Sequence, residues 1–383
     1  MIKYSELGGD RLLNQIVMAG SHDAGITSGA ANVQTQNLDI AGQAHVGVRI
    51  FDLRIAAQKS DAKHGKHQGV QLKAFHGAVS KSSETRFVKD VNRVVKVEGD
   101  SLKYGEYGMG LNKILKDAKA FVTTNGSEFL ILKFDKCSNW TLIAEACVSV
   151  LGANTIYKGK GSLNTTPLKD LKGKVVVVFT SDGIEAVRNA GYPVGSGILG
   201  IKNLYGGEGG GYDSKFDGLQ YHGKGGTKVT NILGDKLKEN EKKQGKIMTE
   251  GAGGESPNVM GMMYWTTTGL NESIQQRNDQ MWTGSNVTAL KQLWKRGLAD
   301  SIHNRLQSRN LDLTQHSSGG LLKTFMPNIV MVDFADDSKC KTIYDLNKVA
   351  AVSLSMASSA LSQEVKQLEA KYAELQRNMR RSA

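Results

Sequence analysis

Cysteine is scarce in this chain. Cys137, Cys147 and Cys340 are the only three in 383 residues. An odd, sparse count argues against a disulfide framework and supplies no paired thiolates for a metal. Cys137 and Cys147 could bridge, but buried thiols are the simpler expectation. Long apolar runs are absent too: none approaches the roughly 18 residues that a membrane span needs. The opening MIKYSELGGDRLL has no apolar core of a signal peptide, so a leader is either removed or replaced by another export route. Zinc-finger spacings, RNP-type aromatic motifs and long Arg/Lys tracts are also missing, which leaves no support for nucleic-acid binding. The Gly-rich stretch contains a GxGxxG-like pattern with no strand–turn–helix around it, so it says nothing about dinucleotides.

What is present is a globular composition, 39% hydrophobic and 22% charged, in a length that suits one large α/β barrel or two ordinary domains. Lys and Arg number 49 against 37 Asp and Glu, a net charge of +12. Such a surface favours anionic partners, and with nucleic acid set aside an anionic membrane surface is the expected one. A basic surface with no partner at all is the plain alternative.

Apolar, β-branched runs recur at 15–20, 49–56, 73–79, 128–135, 174–182, 198–206, 258–268 and 328–336. Continuous runs of this kind suit strands buried on both faces, as in a parallel sheet. LNKILKDAKAFVTT (111–124) and VTALKQLWKRGLADSIHNRLQSRN (287–310) have helical spacing, and the first stops at Asn125-Gly126. Strands alternating with helices, about eight in number, predict a distorted (β/α)8 TIM barrel. Residues 192–226 read as a mobile Gly-rich loop over the site face, and 235–246 as a solvated charged helix or turn. Leu361, Val365, Leu368, Tyr372, Leu375 and Met379 form an a/d seam. The expected organisation is therefore a barrel domain over 1–345 and a C-terminal amphipathic helix over 346–383. That helix docks on the barrel of a monomer, with self-association as the alternative.

The charged residues at strand ends carry the chemistry. IVMAGSHDAG (16–25) delivers His22 and Asp23, GVRIFDLRIA (47–56) delivers Asp52 and Arg54, and KAFHGAV (73–79) delivers His76. EFLILKFD adds Lys133 and Asp135, and NIVMVDF adds Asp333. Alternate residues of a strand share a face, so Asp52 and Arg54 point the same way, as do Lys133 and Asp135. Phosphodiester cleavage needs a base, an acid and positive charge for the phosphoryl oxygens. Two histidines can be base and acid near neutral pH, carboxylates fix their tautomers, and arginine clamps phosphate. Asp23, Asp52 and Arg54 could instead form a structural ion-pair network, and Lys133 with Asp135 an internal salt bridge. The remaining histidines, His45, His64, His67, His222, His303 and His316, read as surface or loop residues. The HGKH pair (64–67) is too poor in ligands to suggest a metal. Tyr264 and Trp265 read as core, with an aromatic pocket wall as the alternative.

SHDAG followed by GVRIFDLR resembles the bacterial phosphatidylinositol-specific phospholipase C family, and FHG, LILKFD and VDF follow in that family's order. The resemblance covers about residues 10–340 and implies the distorted TIM barrel reached above. It implies His22 as general base toward the inositol 2-hydroxyl, oriented by Asp333. Arg54 would neutralise the phosphate with Asp52 nearby, and His76, coupled to Asp23, would protonate the diacylglycerol leaving oxygen. Eukaryotic relatives hold calcium where the bacterial ones place an arginine, so DLR implies an enzyme without metal or other cofactor. Lys133 and Asp135 match the strand-four pair that contacts inositol, with Asp182 and Tyr221 as further ring contacts. One departure stands out: the basic residue expected near the ring at the end of strand five is replaced by Phe179 and Thr180. The resemblance further implies a secreted bacterial protein on a phospholipid surface, helped by exposed aromatics such as Trp282. The alternatives are a phosphodiesterase of another glycerophospholipid or glycerophosphodiester, and an inactive lipid-binding module.

Overall fold

The computed structural model describes residues 1–348 except 160, 208–209, 229–235, 253–257, 269–272 and 291–326, and five positions beyond 348. Eight parallel strands close into a barrel. They are β1 Met18–Ser21, β2 Val48–Leu53, β3 Phe129–Phe134, β4 Lys174–Phe179, β5 Ile198–Asn203, β6 Gly218–Lys224, β7 Met260–Tyr264 and β8 Pro327–Val332. Each pairs with the next in chain order, and β8 closes on β1 with Ile329 opposite Met18 and Val332 opposite Ser21.

The two-residue period of a strand sorts the apolar side chains into two layers. Met18, Ile50, Ile131, Val176, Val178, Leu199, Ile201, Leu219, Met262, Ile329 and Met331 form one buried cluster, the barrel interior. Val17, Phe51, Leu130, Leu132, Val175, Val177, Val330 and Val332 belong to the other, beneath the helices. The helices are α1 Ile40–Val46, α2 Leu111–Thr124, α3 Trp140–Leu151, α4 Ser181–Asn189, α5 Lys236–Ala252 and α6 Ile274–Met281, followed by a helix over 337–348. α2 has the bounds its spacing predicts, burying Leu111, Ile114, Leu115, Ala118, Phe121 and Val122 along one stripe.

At the opposite end from the site, Arg49 and Glu128 form a fully buried ion pair. Arg49 also donates to the carbonyls of Ala44, Val48 and Ile2. Glu128 accepts the backbone N–H groups of Tyr4 and Ser5. The pair pins the N-terminal segment to the barrel and leaves neither charge unsatisfied.

Two expectations are corrected. KAFHGAV is not a barrel strand. It is the end of the 13-residue strand His67–Val79, which lies in a five-stranded sheet inserted between β2 and α2. The other members are Ile55–His64, Ser83–Val88, Arg93–Glu98 and Leu102–Gly110. His76 to Val79 are half-buried rather than covered on both faces, a difference the short apolar run conceals. The missing barrel strand is β6, inside the stretch expected to be a mobile loop. β6 carries glycines and buried polar residues, Gln220 and His222, in place of branched apolar ones. Asn164 satisfies its backbone by donating to Gln220 O and accepting from Gln220 N, at 2.7 and 2.9 Å. His222 is therefore not the surface residue expected.

The HGKH segment is the turn of a hairpin, with His64 opposite His67 and its ring stacked on Phe87. Of charged 235–246, residues 236–246 belong to α5, which is not simply solvated: Asn240 and Gln244 are buried and hold the backbone of Tyr264. Trp282 is half-buried against the core rather than exposed. The tail seam from Leu361 to Met379, most of the 287–310 helix, His303 and His316 lie outside the described residues.

Candidate active site

The C-terminal mouth of the barrel collects the charged residues, as closed parallel barrels do. β1 runs out at Ser21, and the ladder continues through His22 N–H to Val332 O (3.0 Å) and Ala24 N–H to Asp52 O (2.9 Å). Asp23 between them has φ +43°, in the left-handed region. That turn brings the side chains of two sequence neighbours to one place, with His22 Nε2 3.7 Å from Asp23 Oδ2. A polar clamp holds the turn: Gln36 Nε2 donates to His22 O and Val332 O, and Thr35 Oγ1 donates to Asp23 O. The clamp reaches the β8 side as well, where Gln36 Oε1 accepts Ala335 N–H and Phe334, at φ +49°, donates to Thr35 O. Backbone held in sparsely populated regions on both sides of one site is strain kept in place by surrounding contacts.

Asp23 is the hub. Arg54 Nε donates to its Oδ1 at 2.8 Å, and Arg54 Nη2 pairs with Oδ2. His76 Nδ1 lies 2.8 Å from the same Oδ2 and 2.9 Å from Arg54 Nη2. An ionised carboxylate only accepts, so His76 Nδ1 carries the proton and donates to Asp23. The Arg54 contact with that nitrogen is then close packing of two donors around one acceptor, not a second hydrogen bond. His76 Nε2 is left for a ligand. His22 is held the same way by a different carboxylate: its Nδ1 donates to Asp333 Oδ1 at 2.9 Å, and Asp333 Oδ2 accepts Asn278 Nδ2 at 3.1 Å.

A second charged group adjoins this one. Lys133 Nζ donates to Asp52 Oδ1 at 2.7 Å and Asp135 Oδ2 at 3.3 Å, and Tyr264 OH donates to Asp52 Oδ2 at 3.1 Å. Tyr221, from β6, lies close enough to Lys133 to act on its charge. The Tyr264 ring meets His22 edge-on at 5.7 Å, joining the two groups. Asp182 is placed elsewhere, on the first turn of α4, where it accepts from Trp140 Nε1 and Thr180 Oγ1. Thr180 follows β4, because KAFHGAV is not a barrel strand and the count shifts by one. The fifth strand ends in Lys202 and Asn203: Lys202 lies over the Phe216 ring, and Asn203 is bonded to the backbone of Tyr205 and Gly223.

The electrostatics follow from these contacts. Burial pushes the His22 imidazolium toward losing its proton, but Asp23, Asp333 and the Asp333 hydrogen bond outweigh it and raise its pKa to about 9. Burial likewise opposes ionisation of Asp23, yet His22, Arg54 and His76 hold it well below the usual carboxylate range. Lys133 is buried, which favours the neutral amine, and Asp52 reverses that and keeps it charged. Among the described residues no cluster of three or more His, Cys, Asp or Glu has the arrangement of a metal site.

Sequence reasoning assigned Tyr264 to the core and overlooked Asn278, Gln36 and Thr35. Tyr264 and Trp265 in fact divide the two roles: Tyr264 reaches Asp52 in the mouth, and Trp265 packs outward and donates to Met281 O. Asn278 and the 35–36 pair sit in polar surroundings in the chain, with no local pattern to mark them.

No family model and no curated protein sequence matches the chain. Solved structures do. A phosphatidylinositol-specific phospholipase C of Staphylococcus aureus aligns over 89% of this chain and 96% of its own, at TM-score 0.50 and 15% identity. The phosphatidylinositol-specific phospholipase C of Listeria monocytogenes aligns over the same shares, at TM-score 0.46 and 14% identity. At such identity the likeness is one of fold: the chain is a TIM barrel of the kind found in the S. aureus enzyme.

Proposed function

We propose that the chain is a phospholipase C that cleaves phosphatidylinositol to diacylglycerol and a cyclic inositol phosphate without a metal ion. The observation that carries this reading is the shared carboxylate. Asp23 binds both Arg54 and His76 and lies 3.7 Å from His22, so a base, an acid and a phosphate clamp meet at one mouth. His22, oriented by Asp333, takes the proton of the inositol 2-hydroxyl through Nε2. The freed oxygen attacks phosphorus, the bond to the glycerol oxygen breaks, and His76 gives that oxygen a proton from Nε2. Arg54 offsets the charge on the non-bridging oxygens. Water later opens the cyclic ester with the two histidines exchanging roles. Lys133, Asp135 and Tyr221 face the head group, with Asp182 further out, and Asp52 fixes Lys133 and Tyr264. The fold likeness to the S. aureus phosphatidylinositol-specific phospholipase C supports this context. In the same reading the protein is exported, by a removed leader or a specialised route, and works peripherally on an anionic membrane. No helix of the described residues is long and apolar enough to cross one.

The test is a product-resolved assay on phosphatidylinositol vesicles in EDTA. Cyclic inositol phosphate is expected, and its absence sinks the reading. Turnover of glycerophosphodiesters alone would point to the related phosphodiesterase, and vesicle binding with no turnover to an inactive lipid-binding module. His22→Ala and His76→Ala should each lower kcat/KM by about a hundred- to ten-thousandfold while the far-UV spectrum stays native.

A further inference from the structure

We infer that the inserted five-stranded sheet is the part of the protein that meets the membrane, through Tyr104, Lys103 and Lys81. The inference rests on the phospholipase C reading and adds a direction to it. In an in-line displacement the attacking and leaving oxygens lie on opposite sides of phosphorus. His22, the base, follows β1, and His76, the acid, sits on the sheet. The leaving oxygen, with its glycerol and acyl chains, is therefore on the side of the sheet. Those chains remain in the bilayer, so the bilayer faces the sheet.

The sheet is made for such a contact where it continues beyond His76. The strand runs three residues further to Val79, and its Ala78 pairs with Tyr104 of Leu102–Gly110. Two residues of strand are about 7 Å. Among the described residues only Met1, Tyr104 and Val194 are exposed large hydrophobics, and Tyr104, at 69% exposure, is the one aromatic. An apolar ring with a polar tip is suited to the headgroup level. Lys103 beside it and Lys81 on the adjoining connection are both exposed, and Ser80 N–H to Ser101 O holds those two connections together.

Residues 55–110 carry ten Lys and Arg against six Asp and Glu. Of the six, Asp100 is buried against Arg86 and Ser82, and Glu106 is half-buried and accepts Ala30 N–H. At the edge beyond His76, Arg86 is taken up by Glu84 and Asp100, so Lys81 and Lys103 outweigh the exposed carboxylate of Glu98 and select an anionic lipid surface as partner.

The full chain carrying Tyr104→Ser, Lys81→Gln and Lys103→Gln tests this. Binding is measured by co-sedimentation with phosphatidylcholine vesicles containing phosphatidylglycerol, and turnover on both vesicles and monomeric short-chain phosphatidylinositol. Two lysines removed from an anionic surface predict about 30-fold weaker vesicle binding, with vesicle turnover falling alongside and monomer turnover unchanged. Vesicle binding equal to wild type would overturn the inference. Tyr104→Trp gives an independent readout: its emission should shift blue and be quenched by brominated lipid on anionic vesicles, and an unshifted spectrum overturns the inference too. Vesicle binding that depends on these residues, with no turnover of any phosphatidylinositol, supports the docking surface and sinks the phospholipase C reading.

Discussion

Two histidines of this site are held by two different carboxylates, and that difference has measurable consequences. His76 leans on Asp23, which it shares with Arg54; His22 leans on Asp333, which is held by Asn278. The anionic neighbours raise the His22 pKa to about 9, so one limb of the bell-shaped kcat/KM profile should lie near pH 9. Removing negative charge from beside an imidazolium makes it easier to deprotonate. Asp333→Asn should accordingly move that limb to lower pH and reduce kcat, as a pH–rate series on both proteins would show. A limb that stays in place would mean that Asp333 does not govern His22. At this scale the sequence is readable where chemistry abuts an apolar run, as in His22-Asp23 and Asp52-x-Arg54. It is unreadable where the partner is remote: Tyr264 meets Asp52 across 212 positions and Asn278 meets Asp333 across 55, and nothing local distinguishes either.

At the scale of the element, the inserted sheet is the part that sequence reasoning misplaced. Short apolar runs look alike in a buried barrel strand and a half-covered antiparallel one, so KAFHGAV passed for the former. β6, with glycine at its first position and its backbone at Gln220 held by Asn164, passed for a loop. KVVVVF and PNIVMV, covered on both faces, were recognisable from their composition alone. The sheet's grip on His76 depends on two glycines. Gly77 (φ +125°) and Gly105 (φ +99°) face each other across the strands, and a Cβ on Gly105 would overlap the carbonyl of His76. Gly105→Ala should displace His76, lowering kcat at least tenfold with a smaller change in KM, and cost about 1–3 kcal/mol of stability. Saturation kinetics and a denaturant titration would separate the two effects; a variant with wild-type kcat would show that the strand tolerates the shift.

Across the whole molecule, stability and chemistry occupy opposite ends of the barrel. The Arg49–Glu128 pair ties residues 2–5 to β2 and the start of β3, and is fully buried. Glu128→Ala would strand a buried guanidinium, which typically costs about 3–5 kcal/mol. A urea titration should show that loss, while kcat measured well below the melting temperature stays near wild type. Loss of activity in a folded Glu128→Ala protein would mean that the two ends are coupled after all.

The mouth is not partitioned in the same way. In the proposed mechanism Asp23 serves the acid and the phosphate clamp directly and the base through space, so these three functions have no independent settings. A change that tightens Arg54 on Asp23 draws on the carboxylate that fixes His76 and alters the field at His22. Substitutions around it should then fail to add: with Asp23 neutralised, removing His76 or Arg54 would cost far less than it does alone. Any variation in reactivity must enter from outside the hub, through Asp333, through Lys133 and its neighbours, or through the sheet that carries His76.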